Sequence, residues 1–172
     1  MAPPETLHSA TEKKRFLEDL VKEYGARLYS QIYRITRNHE DTDDVLQNVY
    51  LKVWIHLERF RGEAHISTWI YRIAYNETLG WLRRQKLRKA LPSEWIRRFT
   101  AETPVNYEKG EALFQKALDS LPPRQRMVFH YRHFDQLSYR EIAAITGLTE
   151  GALKASYHHA VHKIEKFLAE AY

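Results

Sequence analysis

Cysteine is absent from the 172-residue chain, which excludes a disulfide scaffold and thiol catalysis and fits a reducing compartment. Long apolar runs are missing as well. No stretch approaches the ~20 apolar residues that span a bilayer, and the opening MAPPETLHSATEKKRF lacks the apolar centre of a secretory signal. The expectation is a soluble cytoplasmic protein without membrane insertion. Strict apolar–polar alternation, the mark of half-buried strands, appears nowhere, and no internal repeat is evident. Nor is there a nucleophile–base set or a glycine loop that cradles phosphates, so neither an enzyme nor a cofactor is expected.

What the chain does have is apolar residues at helical spacing. Hydrophobic residues make up 44% and aromatics 13%, enough for a folded core, while the formal net charge is +5. That balance is compatible with a polyanionic partner but does not require one, so the placement of the charge matters more.

Phe16, Leu20, Tyr24, Leu28, Ile32 and Ile35 follow steps of four and three, one face of a helix. TRNHEDTDD interrupts, with Asp41 and Asp44 offering cap and first-turn carboxylates for a second helix. Its core stripe reads Val45, Leu46, Val49, Tyr50, Val53 and Leu57. FRGEAHIST is a loop around Gly62, after which Ser67 is placed to cap a third helix through Trp69, Ile70, Ile73 and on to Trp81. Pro92, Pro104 and Gly110 mark a linker, with one helical turn expected around Trp95 and Phe99. A second helical block starts near Glu111, and LPPRQRMVF puts prolines where a helix can begin. The fold class is therefore all-α. Two small helical domains are expected at 16–90 and 111–172, with a tail at 1–15 and a linker at 91–110.

LSYREIAAITGLTEGALKASYHH carries two helix starts around one glycine. Ser138 and Glu141 fit a capping box, Gly147 suits a left-handed corner, and Thr149 caps the next helix. Ile142, Ala143 and Ile145 face inward. In the following helix Leu153, Tyr157, Ala160, Val161, Ile164 and Leu168 form the buried stripe, leaving Lys154, Ala155, His158, His159 and His162 outside. This is the layout of a helix-turn-helix, whose second helix can enter a DNA major groove. An ordinary helical hairpin with no nucleic-acid role has the same layout. His158 and His162 stand four apart, and His130 and His133 three apart, but no carboxylate or cysteine completes either set, so no metal site is expected. Histidines facing DNA would make its binding sensitive to pH near neutrality.

Two further stretches carry charge and apolar groups together. On DTDDVLQNVYLKVWIHL the face away from the core stripe holds Asp44, Gln47, Asn48, Leu51 and Ile55. Two branched apolar residues in a polar row suggest a partner surface, and the acidic edge suits a basic helix. Between Trp69 and Lys89 the basic residues are Arg72, Arg83, Arg84, Lys86, Arg88 and Lys89, against the single acid Glu77. Such a helix suits a phosphate backbone, and aromatics beside it can stack on unpaired bases.

Four stretches, DTDDVLQNVYLKVW, FRGEAHISTWIYRIAYNETLGWLRR, LPPRQRMVFHYR and LSYREIAAITGLTEGALKASYHHAVHKI, occur in an order that resembles bacterial RNA polymerase sigma factors of the extracytoplasmic-function group. The resemblance covers most of residues 16–168. It implies that the Asp44, Gln47, Asn48, Leu51 and Ile55 face binds the coiled coil of the polymerase largest subunit, with a second contact at the polymerase flap. It implies a −10 pocket in the loop Arg59–Ile66 with Phe60 in its wall. Arg61, Trp69, Tyr71, Arg72 and Asn76 line the strand-opening surface, and Arg83 and Arg84 continue its basic side.

The −35 duplex is then met by Arg140, Thr149, Glu150, Gly151, Lys154, Ala155, Ser156, His158 and His159. From the residues alone, Arg124, Arg126, Arg132 and Arg140 offer flanking backbone contacts, with an exposed solvated face as the default for each. An anti-sigma factor that covers these faces is a further implied partner. The chain departs from the family at Asn48, where an acid is usual, at His65 and Ser67, and at Gly80, where Asp is frequent. The largest departures are Ser156 and His159, where the family has Arg. An Arg fork grips guanine or phosphate in a way that Ser and neutral His do not reproduce, so the −35 preference should differ. A duplex-binding regulator that never meets polymerase, and a helical protein–protein module, are the other two classes the residues leave open.

Overall fold

The structure, a computed structural model, describes residues 10–60, 62, 64–89 and 109–171. Seven α-helices are defined among them: α1 Ala10–Thr36, α2 His39–His56, α3 Ile66–Lys89, α4 Lys109–Ser120, α5 Pro123–Phe129, α6 Tyr139–Thr146 and α7 Glu150–Glu170. A 3-10 turn follows α2 at Leu57–Arg59, and a π turn follows α5 at His130–Phe134. The described residues contain no strand, as the sequence leads one to expect. The helical turn expected around Trp95 and Phe99 lies outside the described residues. The chain divides into two compact units, Met1–Thr78 with Ala144–Gly147, and Leu79–Ala143 with Leu148–Tyr172.

In the first unit α1, α2 and the first half of α3 share one core. Phe16, Leu20, Tyr24 and Leu28 of α1 meet Val49, Val53 and Leu57, with Ile66, Ile70 and Ala74 closing the cluster. The burial of these apolar stripes is the main driving force for the unit. Gly25 lets α1 and α2 approach closely, since a Cβ there would sit 3.1 Å from the Tyr50 hydroxyl.

The link between α1 and α2 is built differently from the sequence-based expectation. Asn38, not Asp41 or Asp44, is the cap: its Oδ1 accepts from the Glu40 N–H at 2.8 Å and the Asp41 N–H at 3.3 Å. The helix therefore starts at His39, and Asp41 becomes a first-turn carboxylate favoured by the helix dipole. Before it, Arg37 turns the chain with φ 59°. The Thr36 and Thr42 hydroxyls, both buried, lie 2.6 Å apart and tie the end of α1 to the start of α2.

Helix α3 also starts earlier than expected. The His65 carbonyl accepts from the Trp69 N–H at 3.1 Å. Its Nδ1 stands 2.7 Å from the Ser67 hydroxyl and 3.4 Å from the Ser67 N–H. His65 thus occupies the cap position and Ser67 lies inside the first turn. An imidazole nitrogen can accept at a helix start as a hydroxyl does, but the standard set of capping residues does not include it.

In the second unit Ala117, Leu118 and Leu121 pack with Phe129 of α5 and Ala160 and Ile164 of α7. Phe129 stacks on Tyr157 at 5.8 Å and on His133 at 4.9 Å between ring centroids. Helix α5 begins with Pro123 at its first turn, where a missing N–H costs nothing.

Candidate nucleic-acid and partner interfaces

The corner between α6 and α7 is built as its residues require. Ser138 Oγ accepts from the Glu141 N–H at 3.2 Å, and a Glu141 carboxylate oxygen accepts from the Ser138 N–H at 2.8 Å and from its hydroxyl at 2.6 Å. These bonds to Ser138 hold the Glu141 carboxyl below its ordinary value of 4.5. Gly147 takes φ 75°, and the Thr149 hydroxyl accepts from the Ala152 N–H at 3.2 Å. Each helix start thus has a side-chain cap of its own.

Helix α7 buries Leu153, Ala160 and Ile164. Thr149, Glu150, Gly151, Lys154, Ala155, His158, His159 and His162 are exposed, as is Arg140 on α6. Ser156 is only half-exposed, so it stands at the edge of this face rather than at its centre. From Thr149 to His159 the single Lys or Arg is Lys154.

Of the flanking arginines, Arg124 is exposed and Arg132 half-exposed. Arg126 corrects the sequence reading: it is 7% exposed and its Nη1 lies 2.6 Å from Asp119 Oδ1. The guanidinium links α5 to α4 and is engaged inside the unit, so Arg126 is not a DNA contact. Nothing local in LPPRQRMVF marks it as buried, because Asp119 comes from the preceding helix.

On α2 the residues Asp44, Gln47, Asn48, Leu51 and Ile55 are all exposed, Leu51 by 55% and Ile55 by 56%. The opposite face buries Val45, Val49 and Val53. The Asn48 side-chain amide donates to the Asp44 carbonyl at 2.9 Å, which keeps that amide folded back on its own helix.

The aromatic loop and α3 make a third surface. Phe60 and Trp69 meet at 5.0 Å between centroids, and with Tyr71 they pack half-buried against the first unit's core. Tyr71 presents a T-shaped contact to Tyr24 at 6.3 Å. Burial, aided by Glu23, raises the Tyr24 hydroxyl to about 12. Arg61 lies outside the described residues. Arg72, Asn76, Arg83 and Arg84 are exposed along α3, although Arg72 donates to the Ala144 carbonyl oxygen at 2.7 Å. Glu77, the single acid of this stretch, is paired with Lys52 of α2. That pairing, unsuspected from the sequence, neutralises the one carboxylate among the basic residues. Among the described residues no group of three or more His, Cys, Asp or Glu is arranged to hold a metal ion, and no helix is long and apolar enough to cross a membrane.

Comparison with known proteins gives these surfaces a context. Sigma-70 region 2 matches residues 20–88, and Sigma-70 region 4 matches residues 111–164. The sigma factor YlaC of Bacillus subtilis is 29% identical over 162 residues, covering 90% of this chain and 93% of that one. The ECF RNA polymerase sigma-E factor of Escherichia coli K12 is 31% identical over 164 residues, covering 85% and 83%. Among solved structures, the sigma factor RpoE of Bartonella quintana, in complex with the anti-sigma factor NepR, aligns with a TM-score of 0.64. That alignment covers 91% of this chain and 98% of RpoE at 22% identity, a likeness of fold. With two regions matched in order and a relative above 30% identity along most of its length, the chain belongs to the extracytoplasmic-function group of sigma-70 RNA polymerase sigma factors.

Proposed function

We propose that this sigma factor docks on core RNA polymerase through Asp44, Gln47, Asn48, Leu51 and Ile55, and brings it to promoters with two elements. Residues 16–90 are the docking and strand-opening domain, 91–110 the linker, and 111–172 the duplex-reading domain. Leu51 and Ile55, one turn apart and more than half exposed, supply apolar contact, and Asp44 supplies the charge that meets a basic helix of the polymerase largest subunit. The flap is a second contact. Phe60, Arg61 and Trp69 receive an extruded −10 base beside Tyr71, Arg72 and Asn76, while Arg83 and Arg84 follow the backbone. Base extrusion costs a few kcal/mol, which stacking at ~1–3 kcal/mol per base offsets.

On the upstream duplex, Lys154 is the single Lys or Arg of the reading face from Thr149 to His159. The N–H groups beyond Thr149, near Glu150 and Gly151, meet phosphate without needing a side-chain charge. Arg140, Ala155, Ser156, His158 and His159 complete that surface. With Ser156 and His159 in place of arginines, the reading face relies on shape and backbone contact more than on bidentate guanine recognition. The chain acts in the cytoplasm and performs no catalysis itself; phosphodiester formation belongs to the polymerase. An anti-sigma factor is proposed as its regulator, on the likeness to RpoE in complex with NepR.

The observation that carries this reading is the presence, in one chain and in order, of both matched regions, each with an exposed face opposite its own core. The test is to add the purified chain to sigma-free core polymerase with bacterial genomic DNA and sequence the 5′ ends of the transcripts. Discrete new starts sharing two upstream motifs are expected. Absence of core association and of new starts, with duplex binding intact, would replace it with a plain duplex-binding regulator.

A further inference from the structure

Tyr139, the first residue of α6, lies close to two cations. The Arg132 guanidinium carbon lies 5.1 Å from its ring centroid, and the Lys154 Nζ of α7 lies 5.7 Å from the same centroid. Both distances fall within the ~6 Å over which a ring quadrupole attracts a cation. The same guanidinium is held by a hydrogen bond, donating from Nη1 to the Leu137 carbonyl at 3.0 Å. The backbone of Tyr139 is fixed too, because Ser138 immediately before it is closed in the capping box with Glu141. The ring is thus a half-buried plate beside the reading helix.

This placement matters because Lys154 is the single Lys or Arg on the stretch from Thr149 to His159. A lysine free in water loses much rotamer freedom when it grips a phosphate, and a weakly held one gives little affinity. The ring takes that loss before DNA arrives. It also gathers Arg132 and Lys154 about one centre, where like charges repel until an anion sits near them.

We propose that Tyr139 is a positioning residue for DNA binding: its ring presets Lys154, together with Arg132, for phosphates of one duplex. The proposal rests on the reading that α7 faces duplex DNA and adds to it the residue that makes a single lysine sufficient. It also gives the corner a second purpose, since the capping box that starts α6 sets the plate on which the α7 cation rests.

The test uses the full chain and a labelled 30-base-pair mixed-sequence duplex, titrated by anisotropy across a series of salt concentrations. The variants are Tyr139→Phe, Tyr139→Leu, Lys154→Ala and the Tyr139→Leu/Lys154→Ala double, each checked by thermal melting. Lys154→Ala is expected to weaken binding and flatten the slope of log K against log salt by about 0.9. Tyr139→Leu is expected to weaken binding about threefold to tenfold, with Tyr139→Phe close to wild type.

The loss from Tyr139→Leu should shrink when Lys154 is already Ala. An equal loss in both backgrounds, or none in either, overturns the positioning role while leaving α7 on the duplex. If Lys154→Ala changes neither affinity nor slope, the reading of α7 falls and the proposal falls with it. Should Tyr139→Leu fail to fold, the Lys154 side-chain methylene resonances of the unaltered chain decide. Ring-shifted positions support the plate, and random-coil positions overturn it.

Discussion

Ser138 and Glu141 hold each other through bonds that only the ionised carboxylate makes in full, which is why the Glu141 carboxyl lies below 4.5. A depressed carboxyl contributes stability that is present above its unfolded value and lost as pH falls through its folded value. Glu141→Gln keeps the capping geometry and removes the titration. The difference in melting temperature between wild type and Glu141→Gln should therefore be constant above about pH 5.5 and shrink as pH falls below the unfolded value, a small effect because the carboxylate is solvated. Melts at pH 3 to 7 check this. Gly147 is a second case where one residue decides a local outcome. At φ 75° a Cβ would meet nothing within 4 Å, so Gly147→Ala suffers backbone strain alone. Its expected cost is about 1–2 kcal/mol in chemical denaturation, with no change in the m-value. Asn38 and His65 show the limit of reading single residues. Each caps a helix at a place where a neighbouring Asp or Ser was the more obvious choice, because the helix entry is set by where the preceding segment can turn.

Among the elements, α2 has two unlike faces. Its inner face is sealed by Val45, Val49 and Val53, and its outer face leaves Leu51 and Ile55 in water. Leu51→Asp with Ile55→Asp should leave thermal stability within about 0.5 kcal/mol per site, since nothing packed is disturbed, while association with core polymerase drops sharply in a pull-down. Loss of folding in that variant would show the face to be structural instead. Helix α1 is the contrast. Leu28 is almost fully buried against the first unit's core, so Leu28→Ala should cost about 2–5 kcal/mol in urea unfolding. The stripes on α1, α2 and α7 were legible because a 3.6-residue period is a local property of the chain. The burial of Arg126 was not, because its reason is Asp119, a residue of another helix that no period reveals.

For the molecule as a whole, the net charge of +5 is less informative than its distribution. Lys52 takes up Glu77, the single acid between Trp69 and Lys89, while Arg83 and Arg84 are exposed. Replacing both Arg83 and Arg84 by Ala should flatten the salt slope for single-stranded DNA by about 1.4, about 0.7 for each phosphate no longer neutralised, measured by anisotropy on an unpaired oligonucleotide. An unchanged slope would remove both residues from the nucleic-acid surface. The sequence by itself determined the helices, their buried stripes, the glycine corner and the family, for these rest on short-range spacing and on residue types in fixed order. The tertiary structure alone decided which charges are paired internally and which are presented. Arg126 turns inward to Asp119, Glu77 is silenced by Lys52, and Tyr139 gathers Arg132 and Lys154. Such pairings join residues from different helices, and only the packing of those helices brings them within a few ångströms of each other.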